Sequence, residues 1–192
     1  MSVRIVIEAG DLKLKAKNKT VSNVKSSQIK KVFKDLIDTM PKAGLIGVAA
    51  SQIGENYMVF VTHPRNTKAR NIGKADKLRI FINPKITYKS KKQNLIYEGC
   101  GSVADIFGPV LRPEEVEVEA TDEKGQRFSL RADGILGRVM QHEYDHLQGI
   151  EFIQKVSDYS KIVVKKHYRK NIRNSKLQKK NSLTTKIVFK KI

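Results

Sequence analysis

Residues 133–149 read DGILGRVMQHEYDHLQG, from Asp133 to Gly149. Ile135, Val139, His142 and His146 recur at steps of three or four, the spacing that lines side chains along one face of an α-helix. The pattern predicts a helix from about Asp133 to Gln148, with Gly149 as its stop. The apolar half of the stripe would bury the helix, and the stripe would then carry two imidazoles into a dry site. His142 and His146 stand four apart, among only four histidines in the chain, so both can bind one metal ion. Glu143 lies beside the first of them, placed to act as general base on an activated water and then as general acid. Many zinc peptidases share HExxH, so the pattern alone names no substrate. Its plain alternative is an ordinary helix with two exposed histidines.

A tetrahedral catalytic metal site takes three protein ligands and leaves the fourth position to water. The single cysteine, Cys100, is the candidate third ligand. It stands in Glu98-Gly99-Cys100-Gly101-Ser102, where flanking glycines let the backbone approach a ligand closely. A lone cysteine has no intrachain disulfide partner and fits a reducing compartment. Bound to a metal, it would be a thiolate. Two other readings are an inert buried thiol and a nucleophile with a histidine base. HExxH already supplies an activated water, which favours the ligand.

Outward from this centre, Ile29, Val32, Phe33, Leu36, Ile37 and Met40 mark a second amphipathic helix. Ser26 or Ser27 can cap it, and Pro41 helps end it. Strands are expected at Arg4–Glu8, at Tyr57–Thr62, and at Leu78–Ile82, the last closed by Asn83-Pro84. His63–Asp76 is polar and basic, a loop. Val116, Val118 and Ala120 alternate with glutamates, and Phe128, Leu130 and Ala132 alternate again after a turn ending at Gly125, making a hairpin. Strands and two helices without regular βαβ alternation indicate an α+β fold, with antiparallel or mixed sheets around the central HExxH helix.

At 192 residues the chain suits one core. Residues 1–156 read as a catalytic domain and 157–192 as a basic, partly helical extension. From Lys161 to Ile192 there are twelve Lys or Arg and no Asp or Glu. That segment reads as a basic helix followed by a mobile or partner-dependent end. No apolar run is long enough to span a bilayer, and the start lacks the apolar stretch of a secretory signal. The net charge of +19 favours polyanions such as RNA or ribosomes, or reflects only a Lys-rich composition.

Three segments together resemble the peptide deformylase family: Leu45-Ile46-Gly47-Val48-Ala49-Ala50-Ser51-Gln52, Glu98-Gly99-Cys100-Gly101-Ser102, and Gln141-His142-Glu143-Tyr144-Asp145-His146. The resemblance covers roughly Ile5 to Val156. It implies hydrolysis of the N-formyl group from formyl-methionyl nascent peptides. Cys100, His142 and His146 would bind one divalent metal, and Glu143 would be the acid–base residue. The implied metal is ferrous iron, with zinc, nickel and cobalt also suited to the ligand set. Gln52 and the Gly101 N–H would form an oxyanion hole. Ile46 and Gly47 would offer backbone hydrogen bonds to the peptide, and Ile96, Glu98, Ile135 and Val139 would line the methionine pocket. Arg112 would pair with Glu98. A bacterial-type cytoplasmic location, or an organelle that translates its own proteins, fits that activity, and because such an enzyme works on nascent chains the basic C-terminal segment reads either as a ribosome contact or as a plain solvated tail. Two positions depart from the family pattern. Leu45 replaces its first glycine, and Gly101 stands where bacterial members often have leucine.

Two rival readings remain at this point. A different HExxH peptidase or amidase would take a later His or Glu as third ligand. A basic RNA- or ribosome-binding protein could keep a structural or vestigial metal site, though no RRM, KH or zinc-knuckle pattern is present.

Overall fold

The structure, a computed structural model, describes residues 3–66 and 71–192. A six-stranded antiparallel sheet runs in the order β1 (Gly47–Ala49), β2 (Val59–Thr62), β3 (Arg79–Lys89), β6 (Glu115–Thr121), β7 (Arg127–Asp133), β9 (Ile187–Lys191). A smaller sheet joins β4 (Gln93–Cys100), β5 (Val103–Pro113) and β8 (Val163–Val164). The helices are α1 (Ser27–Lys42), α2 (Gly134–Leu147), and two short ones, α3 (Lys165–His167) and α4 (Lys176–Ser182). Antiparallel sheets with helices but no βαβ alternation make this the expected α+β class.

Strand β2 explains the layering. All four of its residues are buried. Val59 and Val61 pack in the cluster with Val32, Phe33 and Leu36 of α1, whereas Phe60 packs with Leu136 and Met140 of α2. The sheet is thus covered on both faces, which is why this strand reads as an unbroken apolar run. Gly137 lets α2 sit close to β7: a Cβ there would lie 2.6 Å from the Ala132 carbonyl oxygen.

Several expectations are corrected. Residues 4–8 form no strand. Ile7 and Ala9 instead donate single backbone bonds to Gln52 (2.9 Å) and Ser102 (2.7 Å), neighbours in turns that offer no ladder to extend. Strand β3 does not close at Asn83-Pro84. It continues to Lys89 through a register shift, with Asn83 at φ 49° absorbing the irregularity and its side chain holding both main-chain groups of Val21. Pro41 lies inside the last turn of α1 rather than beyond it. The expected loop His63–Asp76 lies partly outside the described residues, at 67–70, as do Met1 and Ser2 at the start. The chain end, expected to be mobile or partner-dependent, forms β9. It pairs with β7 from Ala132↔Ile187 to Phe128↔Lys191, and Phe189 stacks on Phe128. Among the described residues no helix is long and apolar enough to cross a membrane.

Candidate active site

Helix α2 places His142 and His146 one turn apart, and the β4–β5 hairpin brings Cys100 against them. The candidate ligand atoms of Cys100, His142 and His146 all lie within 4.8 Å of one another. Cys100 Sγ is 3.1 Å from His146 Nε2. Burial pushes the Cys100 thiol up, but the two imidazoles outweigh this and hold it well below the usual thiol range. A thiolate and two imidazoles so close together form a donor set suited to a soft or borderline divalent cation.

His142 is aimed by a buried carboxylate. Its Nδ1 is 3.0 Å from Glu98 Oε2, which leaves Nε2 to face the centre. Glu98 in turn receives Arg112 through Nε (2.8 Å) and Nη2 (3.0 Å), and Arg138 through Nη1 (2.9 Å). Burial alone would raise the Glu98 carboxyl; Arg112 and His142 more than reverse that and hold it well below the ordinary carboxylate range. Arg112 also reaches Asp145, on α2 between the histidines. Glu98, expected as a pocket wall, does border the groove, but its charge is spent on this inward network.

Sequence reasoning missed Arg138. Its signal was there: it stands four residues before His142 on the same helix face, a lone cation in an otherwise apolar turn. It is buried and also binds Val110 O and Asn94. Ile72 was also missed, because it sits alone in a polar loop. It closes an apolar cluster with Ile135, Val139 and Ile46.

Glu143 is buried against Gly47. A Cβ on Gly47 would fall 2.5 Å from Val139 Cγ1 and 2.6 Å from Glu143 Oε1, so only glycine fits. Glu143 Oε2 is buried without a hydrogen-bond partner among the described residues. Burial raises this carboxyl to about 7 against the pull of His142 and His146. A carboxyl of that pKa can both accept and return a proton near neutrality.

Gln52 lies on a 3₁₀ turn, Ala50–Ile53, directly after β1. Its Oε1 accepts from the Ala49 N–H (2.9 Å), which fixes the amide orientation. Nε2 therefore points at Cys100 Sγ (3.3 Å) and Ser102 Oγ (3.2 Å), into the centre. Gly101 follows the cysteine in the hairpin turn. A Cβ there would lie 3.1 Å from Leu45 Cδ1, so a side chain at 101 would meet the residue at the other position that departs from the family pattern. A groove of about 580 Å³ opens over these groups, with Ile46, Gly47, Ile96, Ile135 and Val139 along it.

The family model described as "Polypeptide deformylase" matches residues 3–161. Peptide deformylase 1 of Ralstonia nicotianae is 36% identical over 171 residues, 87% of this chain and 96% of that protein. The peptide deformylase of Treponema pallidum is 40% identical over 131 residues, covering 68% of this chain and 75% of its own length. Among solved structures, the Met-Ala-Ser-bound class I type b peptide deformylase of Acinetobacter baumannii superposes with a TM-score of 0.77 at 30% identity, over 81% of this chain and all (100%) of that one. The peptide deformylase of Synechococcus elongatus, in complex with actinonin, gives 0.73 at 32% identity over 84% and 82% of the two chains. The sequence match extends over the α+β frame and the Cys/His/His cluster alike, and the chain belongs to the peptide deformylase family.

Proposed function

We propose that the chain hydrolyses the N-formyl group of formyl-methionyl nascent peptides, releasing formate and a free N-terminus. Cys100, His142 and His146 would hold one divalent metal, Fe(II) in the cell, with Zn(II), Ni(II) or Co(II) able to replace it. Such a cation supplies Lewis acidity and a water that ionises near neutral pH. The donor set and the unpartnered, buried Glu143 Oε2 fit that group.

Glu143 takes the proton of the attacking water and returns it to the leaving nitrogen. Gln52 Nε2 and the Gly101 N–H donate to the oxygen on which negative charge develops. Glu98, held by Arg112 and Arg138, keeps His142 in one tautomer. Ile96, Ile135 and Val139 receive the methionine side chain, with Ile72 added to that wall, and Ile46 and Gly47 bind the peptide main chain. The formyl carbon carries only hydrogen, so a tight site admits it and excludes larger acyl groups. Residues 1–156 would form the catalytic unit and 157–192 an extension, working in a bacterial-type cytoplasm or a translating organelle. Exposed lysines of the extension would contact the ribosome.

The observation that carries this reading is Glu143 Oε2, buried beside three converging sulfur and nitrogen donors with no hydrogen-bond partner among the described residues. The test is anaerobic purification, metal analysis and formate release from formyl-Met-Ala-Ser with Fe(II), Ni(II), Co(II) and Zn(II). Formate release should require metal, vanish in Cys100→Ala, and fall about 10²- to 10⁴-fold in Glu143→Gln with metal retained. Bound metal without formate release would overturn the activity, and full turnover in Glu143→Gln would overturn the role of that residue.

A further inference from the structure

The outer edge of β4 is already occupied. Tyr97 stands opposite Pro109 of β5, and proline has no N–H to give, so Tyr97 turns its N–H and C=O away from β5. Both groups are met by one side chain of α4. Gln178 Oε1 accepts from the Tyr97 N–H at 3.0 Å, and Gln178 Nε2 donates to the Tyr97 carbonyl at 3.2 Å. Two residues back along the same edge, Asn181 Nδ2 donates to the Leu95 carbonyl at 2.8 Å. A carboxamide that accepts and donates in this way reproduces what one residue of an added antiparallel strand would do.

Gln178 is held for this task. It is 6% exposed, its own N–H is capped by Ser175 Oγ, and its Nε2 also reaches Tyr168 OH. Tyr168 stacks on Phe107 at 4.0 Å, and Phe107 lies so close to Gly99 that a Cβ there would sit 2.5 Å from the ring. The C-terminal segment therefore reaches along β4 to Tyr97, three residues before Cys100, and Tyr168 and Gln178 face the same groove as Gly99 and Cys100.

Resting on the function proposed above, we propose that the C-terminal segment Tyr168–Ser182 is a substrate-length stop. The Gln178 carboxamide holds the Tyr97 main-chain groups that an extended formyl-peptide, lying with its reacting end at Cys100, would otherwise take. At about 3.3 Å per residue, main-chain recognition along β4 ends roughly three residues beyond the reacting end. Longer nascent chains leave the groove there without further backbone pairing, so the enzyme treats them alike.

The test is kcat/KM for a series from formyl-Met-Ala to formyl-Met followed by six residues, each normalised to formyl-Met-Ala of the same variant. The wild type should reach a plateau by about the third added residue and stay within about twofold beyond it. Gln178→Ala should keep rising, by about five- to tenfold and through KM, because two further hydrogen bonds become available. A second variant replaces Lys176–Ser182 with Gly/Ser residues of equal number and keeps β9; it should behave the same. Hydrogen exchange at the Tyr97 amide is the independent readout. It should quicken in Gln178→Ala and be slowed again by a long product peptide but not by Met-Ala. A wild-type rate that climbs steadily with length, or a plateau and Tyr97 protection unchanged by both variants, overturns the stop. Absence of formate release from every peptide by the metal-loaded wild type would overturn the activity instead.

Discussion

Two ion pairs of the same length meet the groove, one through Glu98 and the other through Lys165 and Asp105. Arg112 Nε and Glu98 Oε1 are 2.8 Å apart with side chains 7% and 4% exposed, while Lys165 Nζ and Asp105 Oδ1 are 2.8 Å apart at 44% and 72%. The first pair sits in the network that aims His142. The second ties the C-terminal segment to β5. Equal distance conceals unequal consequence, because an exposed pair exchanges one good set of hydrogen bonds for another with water, whereas a buried charge has no such replacement. The site is thus held by charges that cannot be removed singly, and the C-terminal segment by exposed charges that can, together with the buried, uncharged Tyr168, Gln178 and Thr184.

The largest effect should come from breaking the buried side. Arg112→Met leaves Glu98 with one guanidinium and Asp145 with none of Arg112's hydrogen bonds. A buried carboxylate deprived of its partner costs roughly 3–5 kcal/mol, a fall of about 10 °C in melting midpoint for a chain of this size. Because the folded Glu98 carboxyl lies below its ordinary range, the native network stabilises the fold at neutral pH and loses that contribution only as pH falls through the folded value. Thermal melts of wild type and Arg112→Met at neutral and acid pH should therefore converge in acid. A midpoint unchanged at neutral pH would mean that this buried pair is worth no more than the exposed one.

The same contrast explains what was legible in the sequence. His142 and His146 converge because helix spacing is local and fixed, and the apolar stripe through Ile135 and Val139 shows which face turns inward. Cys100 joins them through a hairpin that no periodicity announced: Val103–Pro113 holds two prolines, a glycine and an aspartate, and reads as loop until its pairing with β4 is known. Arg138 was hidden because a cation on a helix is ordinarily a solvated one, and only its position relative to Glu98, forty residues away in sequence, makes it otherwise. Strand β9 was hidden for a related reason. KIVFKK has little to bury by itself, and its partner β7 lies more than fifty residues earlier. Short-range pattern located the chemistry, and long-range pairing decided what supports it.

A smaller effect is expected where no charge is involved. Leu45 and Gly101 exchange the sizes that the family pattern gives these positions, and a side chain at 101 would meet Leu45, which makes the exchange reciprocal. Gly101→Leu alone should collide with Leu45 and cost about 1–3 kcal/mol. Leu45→Gly alone should lose apolar contact and leave the turn after Cys100 looser. The double variant should recover about 1 kcal/mol relative to the sum of the singles, read from thermal midpoints and from kcat/KM on formyl-Met-Ala-Ser. Strict additivity would show that the two positions vary independently, and would remove the rim of the site from the coupled region around Glu98.

The smallest effect should fall on the exposed pair. Lys165→Ala removes an ammonium that lowers the Asp105 carboxyl mainly through their hydrogen bond. Asp105 stands in solvent, so water replaces that bond when the lysine is gone. The melting midpoint should move by about 2 °C or less, and the change should shrink further in high salt, where exposed charges are screened. Tyr97 amide exchange should stay at its wild-type rate, since Gln178, Tyr168 and β9 keep the segment in place without Lys165. A large loss of stability, or a freed Tyr97 amide, would show instead that this surface pair acts as a latch for the C-terminal segment, and the buried and exposed pairs would then differ little in consequence.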